Sequence, residues 1–163
     1  SFDFPVGWLP NIVERLLGTA VRLNALTSDI NDVLAARKLD GKWSIKEHIG
    51  HLVDLEELHG IRLAELLDNM PSLTAADMNN RRTEEADHNS RGLQRLINDF
   101  NRERRLLVDK LAALTDDMHS RSALHPRLQL QMRPIGLAFF AAERDDHHLA
   151  SIRDLVQQLR RQS

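Results

Sequence analysis

Four stretches of this chain repeat apolar residues at steps of three and four, and that periodicity confines it to packed α-helices. In the last of them Leu137, Ala141, Arg144, His148, Ile152, Leu155 and Leu159 follow one another at steps of four, three, four, four, three and four. Side chains so spaced share one face of a helix. The first stretch, Pro5 to about Ala36, carries Leu9, Ile12, Val13, Leu16, Ala20, Leu23, Ile30 and Val33 in the same rhythm, and Asp40-Gly41 then reads as a turn.

The second helix opens on Ser44 with Glu47 three residues on, a capping box in which each side chain satisfies the other's orphan amide. Ile45, Ile49, Leu52, Leu55, Leu63 and Leu66 carry it to about Asp68, and Pro71 stops it. Residues 72–82 are polar and read as a loop. A third helix is expected over Thr83 to Leu114, with Leu93, Ile97, Phe100, Leu107, Leu111 and Leu114 inward and the basic run Arg102, Arg104, Arg105 on a solvated face. Residues 120–133 read as an extended connection, after which Pro134 suits the first turn of the fourth helix. Four amphipathic segments without a convincing strand predict an all-α protein, a single bundle domain over residues 1–163 with two long connections, 69–82 and 115–133. Long connections in a compact bundle are often functional, so a pocket is expected at the mouth they frame.

Composition narrows the chemistry. With no cysteine, thiolate ligands, disulfides and a cysteine nucleophile are excluded. A formal net charge of −2 offers no field to recruit a nucleic-acid backbone. No stretch reaches the ~20 apolar residues needed to cross a bilayer, and SFDFPVGWLP lacks a basic segment followed by an apolar run, so no membrane partner and a cytoplasmic address are expected. No Ser-His-Asp set, phosphate-binding glycine loop or H-E-x-x-H zinc motif is present.

What remains is a pair of histidines. His51, in WSIKEHIGHLVD, and His148, in AERDDHHLASI, each sit on an inward stripe some ninety residues apart. Imidazoles from two distant helices facing one interior point suit a metal or catalytic site. Arg144 stands one turn before His148 on the same face, while His147 lies about 100° further round and faces elsewhere. Glu47 is first the carboxylate of a capping box. Glu56 and His59 fall near the inward stripe, His88 and His125 read as loop or rim residues, and His48 and His119 carry no signal of their own.

The segment Trp43-Ser44-Ile45-Lys46-Glu47-His48-Ile49-Gly50-His51-Leu52 resembles the W-S/T-x-x-E-x-x-x-H-L stretch of the DinB-like, damage-inducible superfamily. Phe139-Phe140-Ala141-Ala142-Glu143-Arg144-Asp145-Asp146-His147-His148-Leu149 is similar to its second signature, A-E-H-D-x-H-H-L. The resemblance implies an antiparallel four-helix bundle with a divalent metal, zinc or nickel, on three histidines, one from the second helix and two from the fourth. It places His51 and His148 at two ligand positions and Arg144 at the third. It also implies metal-dependent transferase, isomerase or hydrolase-like chemistry: members with known activities include transferases and isomerases that use a low-molecular-weight thiol as partner, and many others have no assigned reaction.

Arg144 departs from that pattern. A guanidinium cannot lose its proton, and a unit positive charge ~4 Å from a dication is repelled by roughly 8 kcal/mol at an effective dielectric of 20. Arg144 is therefore expected to replace the ion electrostatically and to bond an acid, Glu47 first and Asp54 second, leaving a degenerate metal site and a small-molecule pocket floored by His51, Arg144 and His148. Two alternatives stand beside this. One is an intact metal-dependent thiol enzyme with His147, Glu47 or water as nonstandard third ligand. The other is a noncatalytic partner-binding protein or homodimer anchored by Trp8 with Phe2 and Phe4.

Overall fold

The computed structural model describes residues 2–162. Its elements are α1 (Leu9–Leu26), α2 (Asp32–Ala35), α3 (Ile45–Leu67), α4 (Arg81–Glu85), α5 (Leu93–Ala112), α6 (Asp116–His119), the strands β1 (Ala123–His125) and β2 (Leu130–Met132), and α7 (Pro134–Arg161). The four long helices form the bundle, with α1 and α3 each packed against both α5 and α7. Arg15 reaches Glu143 and Asp146 while Asp29 reaches Arg160, so α1 and α7 run the same way. Lys46 meets Asn89 and Glu56 meets Arg104, so α3 and α5 run together. His48 lies on His148 while His59 shares a cavity wall with Phe140, which sets the two pairs antiparallel.

That arrangement explains the long connection after α3. A helix of 23 residues spans about 35 Å, and the next helix must start again at the same end. Residues 68–92 therefore run back along the outside of α3. They are tied to it by Arg62 Nε donating to Thr74 O (2.9 Å), by the Thr74 amide and hydroxyl donating to Glu65 (2.8 and 2.9 Å), and by Thr83 near the far end.

Three boundaries differ from the sequence expectation. The first helix ends at Leu26, where the Thr27 hydroxyl bonds back to Leu23 O, and Asn31 caps the separate turn α2 by accepting from the Leu34 amide. Ile30 is buried across this break, but Val33 is exposed. The third helix begins at Leu93, not Thr83, because Asn80 and Asp87 adopt left-handed conformations on either side of α4 and Gly92 starts the new helix. The connection before α7 holds an antiparallel hairpin pairing Ala123 with Met132 and His125 with Leu130. The capping box of Ser44 and Glu47, the Asp40-Gly41 turn and Pro134 at the start of α7 are as expected.

The core is in two parts. One gathers Leu23, Ile49, Leu52, Ile97, Phe100 and Ile152, the other Leu16, Leu63, Leu66, Leu107, Leu111 and Ile135. Between them lies a fully buried polar layer. Arg104 is 1% exposed and donates to Glu56 Oε1 from Nε (3.1 Å) and Nη2 (2.7 Å), to both oxygens of Asp145 (2.5 and 2.9 Å), and to Leu16 O (3.0 Å). The Thr19 hydroxyl donates to Asp145 at 2.7 Å, and the guanidinium sits 4.6 Å over the Phe100 ring. The expectation of a solvated basic face is wrong at Arg104. It lies on the stripe of Phe100 and Leu107, at steps of four and three, where two buried carboxylates await it.

Candidate functional site

His51 on α3 and His148 on α7 do converge. Both are buried, and their ring centroids are 5.0 Å apart with planes at 60°. Arg144, one turn before His148, is half-buried and lines the same cavity of about 370 Å³ together with Trp43, His48 and His147. His147 is exposed.

The expected partners of Arg144 are both engaged elsewhere. Glu47 accepts from the Ser44 amide at 3.0 Å and from Lys38 Nζ at 3.0 and 3.2 Å, which turns it from the bundle interior. Asp54 accepts from Thr83 and His88 and faces Arg82 at 3.4 Å. The Arg144 guanidinium lies instead 5.8 Å from the Phe140 ring centre, with no acid beside it among the described residues.

The sequence reading missed His48. It is three residues before His51 and so shares its face, and its Nδ1 lies 3.0 Å from Nδ1 of His148, one of the two nitrogens carrying the shared proton. Trp43 closes this cluster, 4.9 Å from the His51 ring and stacked at 6.4 Å on His148, with its indole N–H donating to Glu84 at 2.7 Å. His88 and His125, expected on loops or rims, are both 2% exposed.

A chain of hydrogen bonds fixes the state of His51. The Thr83 hydroxyl donates its one hydrogen to Asp54 at 2.9 Å, so its oxygen accepts from Nδ1–H of His51 at 3.0 Å. His88 Nε2–H donates to the same carboxylate oxygen at 3.0 Å. Burial opposes ionisation of Asp54, but the bonds from His88 and Thr83 prevail and hold its carboxyl below the usual range. The proton of His51 is thus placed on Nδ1, and Nε2 keeps its lone pair, the orientation logic by which a second group prepares an imidazole as base or ligand.

Burial, with like charge from Arg144 and the neighbouring imidazoles, pushes His51 down to about 4 and His148 to about 2; burial and His147 bring His48 to about 4. His59 falls to about 3, through burial and then Arg104, and His125 to about 4, through burial and then Arg62. All five are neutral at pH 7. A depressed folded-state pKa means that the unfolded chain binds protons the fold refuses. This stability is therefore present above about pH 6.5 and is lost as pH falls toward about 4. Melting temperatures measured from pH 7.5 to 4.5 should decline steadily; a flat profile would contradict burial of these imidazoles.

Gly50 lets the cluster close. A Cβ there would overlap the ring of His88, so Gly50→Ala must displace that imidazole from Asp54. Forcing a methyl into such a contact costs about 1–3 kcal/mol. Denaturant unfolding should register that loss, and the histidine NMR signals of His51 should shift with it; wild-type stability would show that His88 is free to move.

A metal held by three imidazoles at the positions of His51, His148 and Arg144 does not fit these residues. The third group is a permanent cation. His48 is no replacement as placed, because its Nδ1 already shares a proton with His148. Among the described residues no three His, Asp or Glu side chains are arranged to hold one ion. What the arrangement offers is a neutral imidazole with a directed lone pair, an unpaired guanidinium and a cavity. The space extends past Arg144 into two adjoining cavities of about 260 and 200 Å³ that share Leu55, Leu58, Ala75, Ala76 and Arg144.

Comparison with known proteins agrees with this architecture. The chain superposes on YfiT from Bacillus subtilis, described as "a probable metal-dependent hydrolase with an unusual four-helix bundle topology", with a TM-score of 0.80 at 18% identity over 96% of this chain and 90% of that one. It also superposes on the mycothiol-dependent maleylpyruvate isomerase, with a TM-score of 0.71 at 13% identity over 93% of this chain but only 62% of that one. At such identities the likeness is one of fold. No curated protein matches the sequence. No helix among the described residues is long and apolar enough to cross a membrane. The family model of the DinB superfamily matches residues 15–152, nearly the whole bundle, and the chain belongs to that superfamily.

Proposed function

We propose that this chain is a DinB-superfamily protein whose metal position is degenerate and whose pocket performs a residual thiol-dependent transfer on a small molecule. In this reading His51 Nε2 takes the proton of a low-molecular-weight thiol, and the resulting thiolate forms a C–S bond to the electrophilic carbon of the second substrate. The bond from that carbon to its leaving group breaks, the group departing with the electron pair as an anion such as chloride while His51 releases its proton to solvent. Arg144 holds an anionic group of that substrate or neutralises the thiolate. The observation that supports it is the chain His51–Thr83–Asp54–His88, which leaves the His51 lone pair free in a cavity shared with an unpaired guanidinium.

The test uses protein purified without added metal, assayed in chelator with cysteine as thiol and 1-chloro-2,4-dinitrobenzene as electrophile. Loss of a general base typically costs about 10²–10⁴-fold. His51→Ala should lower turnover by at least the lower figure, and Arg144→Ala should lower it too. Turnover indifferent to Arg144→Ala eliminates the proposed role of the arginine.

A second reading keeps a divalent metal on His51 and His148 with a nonstandard third ligand. The description of YfiT as a probable metal-dependent hydrolase favours it, with water as the third ligand. Of the groups expected from sequence, Glu47 is held by its cap and Lys38 and His147 is exposed. Near-stoichiometric zinc or nickel in the purified protein, lost in His51→Ala, would establish this reading and displace the first.

A further inference from the structure

The cavity of about 200 Å³ between α3, the crossover and α7 has an electrostatic character that the histidine cluster does not account for. Arg62, Arg127 and Arg144 all line it, together with His59 and His125, and no aspartate or glutamate does. Arg62 is 2% exposed and uses only Nε, donating to Thr74 O at 2.9 Å; Arg127 is exposed at the rim, and Arg144 is half-buried. Three guanidiniums drawn toward one space repel one another, and burial adds to the penalty for Arg62 and Arg144; Glu65, outside the lining and bonded to Thr74, offsets only part of it for Arg62.

Two buried imidazoles sharpen the point. The Leu128 amide donates to His125 Nδ1 at 3.2 Å, so the proton of this neutral ring is on Nε2, and that N–H is buried with no acceptor. His59 Nδ1 is likewise buried and unpartnered. Buried polar groups are nearly always satisfied, so an orphan donor beside three cations asks for one missing acceptor. The remaining walls, Leu55, Leu58, Ala75, Ala76, Met78 and Phe140, are apolar.

We propose that this cavity is a built site for a small organic carboxylic acid with an apolar body. Its carboxylate sits among the terminal nitrogens of Arg62, Arg127 and Arg144 and the Nε2–H of His125, and its body lies against Leu55, Leu58 and Phe140. Guanidinium forks match a planar carboxylate by paired hydrogen bonds. A cavity of about 150 Å³ already accepts benzene, so this one admits an aromatic acid. Because Arg144 also borders the space in front of His51, a bound acid is presented to that imidazole. In that respect the proposal names the substrate class of the preceding reading, but binding itself needs no turnover.

Calorimetric titration of the wild-type protein, with no thiol and no metal, compares phenylacetate, its neutral isostere phenylacetamide and inorganic phosphate. Phenylacetate should bind at least about tenfold more tightly than the amide, since hydrogen bonds to a charged acceptor are stronger than those to a neutral one. It should also bind more tightly than phosphate. Arg144→Gln and the rim variant Arg127→Gln should each weaken it severalfold at unchanged melting temperature, with Arg62→Gln as a third arm, while Arg102→Gln on the exposed face of α5 should leave it unchanged. Equal affinity for acid and amide, absence of binding, or phosphate preferred over the acid each overturns the proposal. Binding that survives as predicted in a protein without chelator-resistant turnover upholds the acid site and discards only the catalytic reading.

Discussion

Arg104→Met should be the most damaging single substitution in this protein. It removes the cation that Glu56 and Asp145 share and leaves two carboxylates whose side chains are 3% and 2% exposed. Breaking a buried pair costs about 3–5 kcal/mol. At about 2–4 °C per kcal/mol for a chain of this size, the melting temperature should fall by roughly 10 °C. The loss is conditional on charge. Burial already raises the Glu56 carboxyl against the pull of Arg104, so in the variant Glu56 should protonate more readily and the deficit should shrink as pH is lowered. Replacing all three residues by leucine or methionine should recover most of the stability, because a well-packed apolar layer often equals or exceeds a buried ion network. Differential scanning calorimetry of wild type, single and triple variants decides it. A single variant within about 1 kcal/mol of wild type would show that water enters this layer.

Arg144→His should strengthen divalent-metal binding at this site sharply. The substitution removes the positive charge beside His51 and sets an imidazole one helical turn before His148, on the same face and the same cavity. Losing even an orienting neighbour commonly changes affinity by about 10–100-fold, so gaining a direct ligand and losing a cation together should raise zinc or nickel affinity by at least the upper figure. His51 is prepared for the role, since the Thr83–Asp54 chain already directs its Nε2 lone pair. Competitive titration against a chromogenic chelator measures the change. Unaltered affinity would show that the shared proton between His48 and His148 holds the cluster closed, whatever stands at residue 144.

The four helices, the capping box and the convergence of His51 with His148 were all legible as periodicity, because a residue on an apolar stripe has no destination except the interior. The same rule placed Arg104 inside, on the line of Phe100 and Leu107, yet its charge and its basic neighbours Arg102 and Arg105 argued for solvent. Only the three-dimensional meeting of α3, α5 and α7 supplies Glu56 and Asp145 to compensate it. The partners of His51 were illegible for a different reason. Thr83, Asp54 and His88 are joined through a crossover whose path depends on three left-handed residues, Asn69, Asn80 and Asp87, and no helical period records such a path. His48 needed only the observation that it precedes His51 by three.

The crossover along α3 has a consequence for how this scaffold diversifies. Ala75, Ala76, Asp77, Met78 and Asn80 face the cavities, yet this stretch belongs to no long helix, and Met78 is largely solvent-facing. Its sequence can drift, lengthen or shorten with little penalty to the interior packing that keeps the molecule folded. If the pocket binds as proposed, substitutions in this strap change which ligand is preferred while the barrel beneath it stays constant.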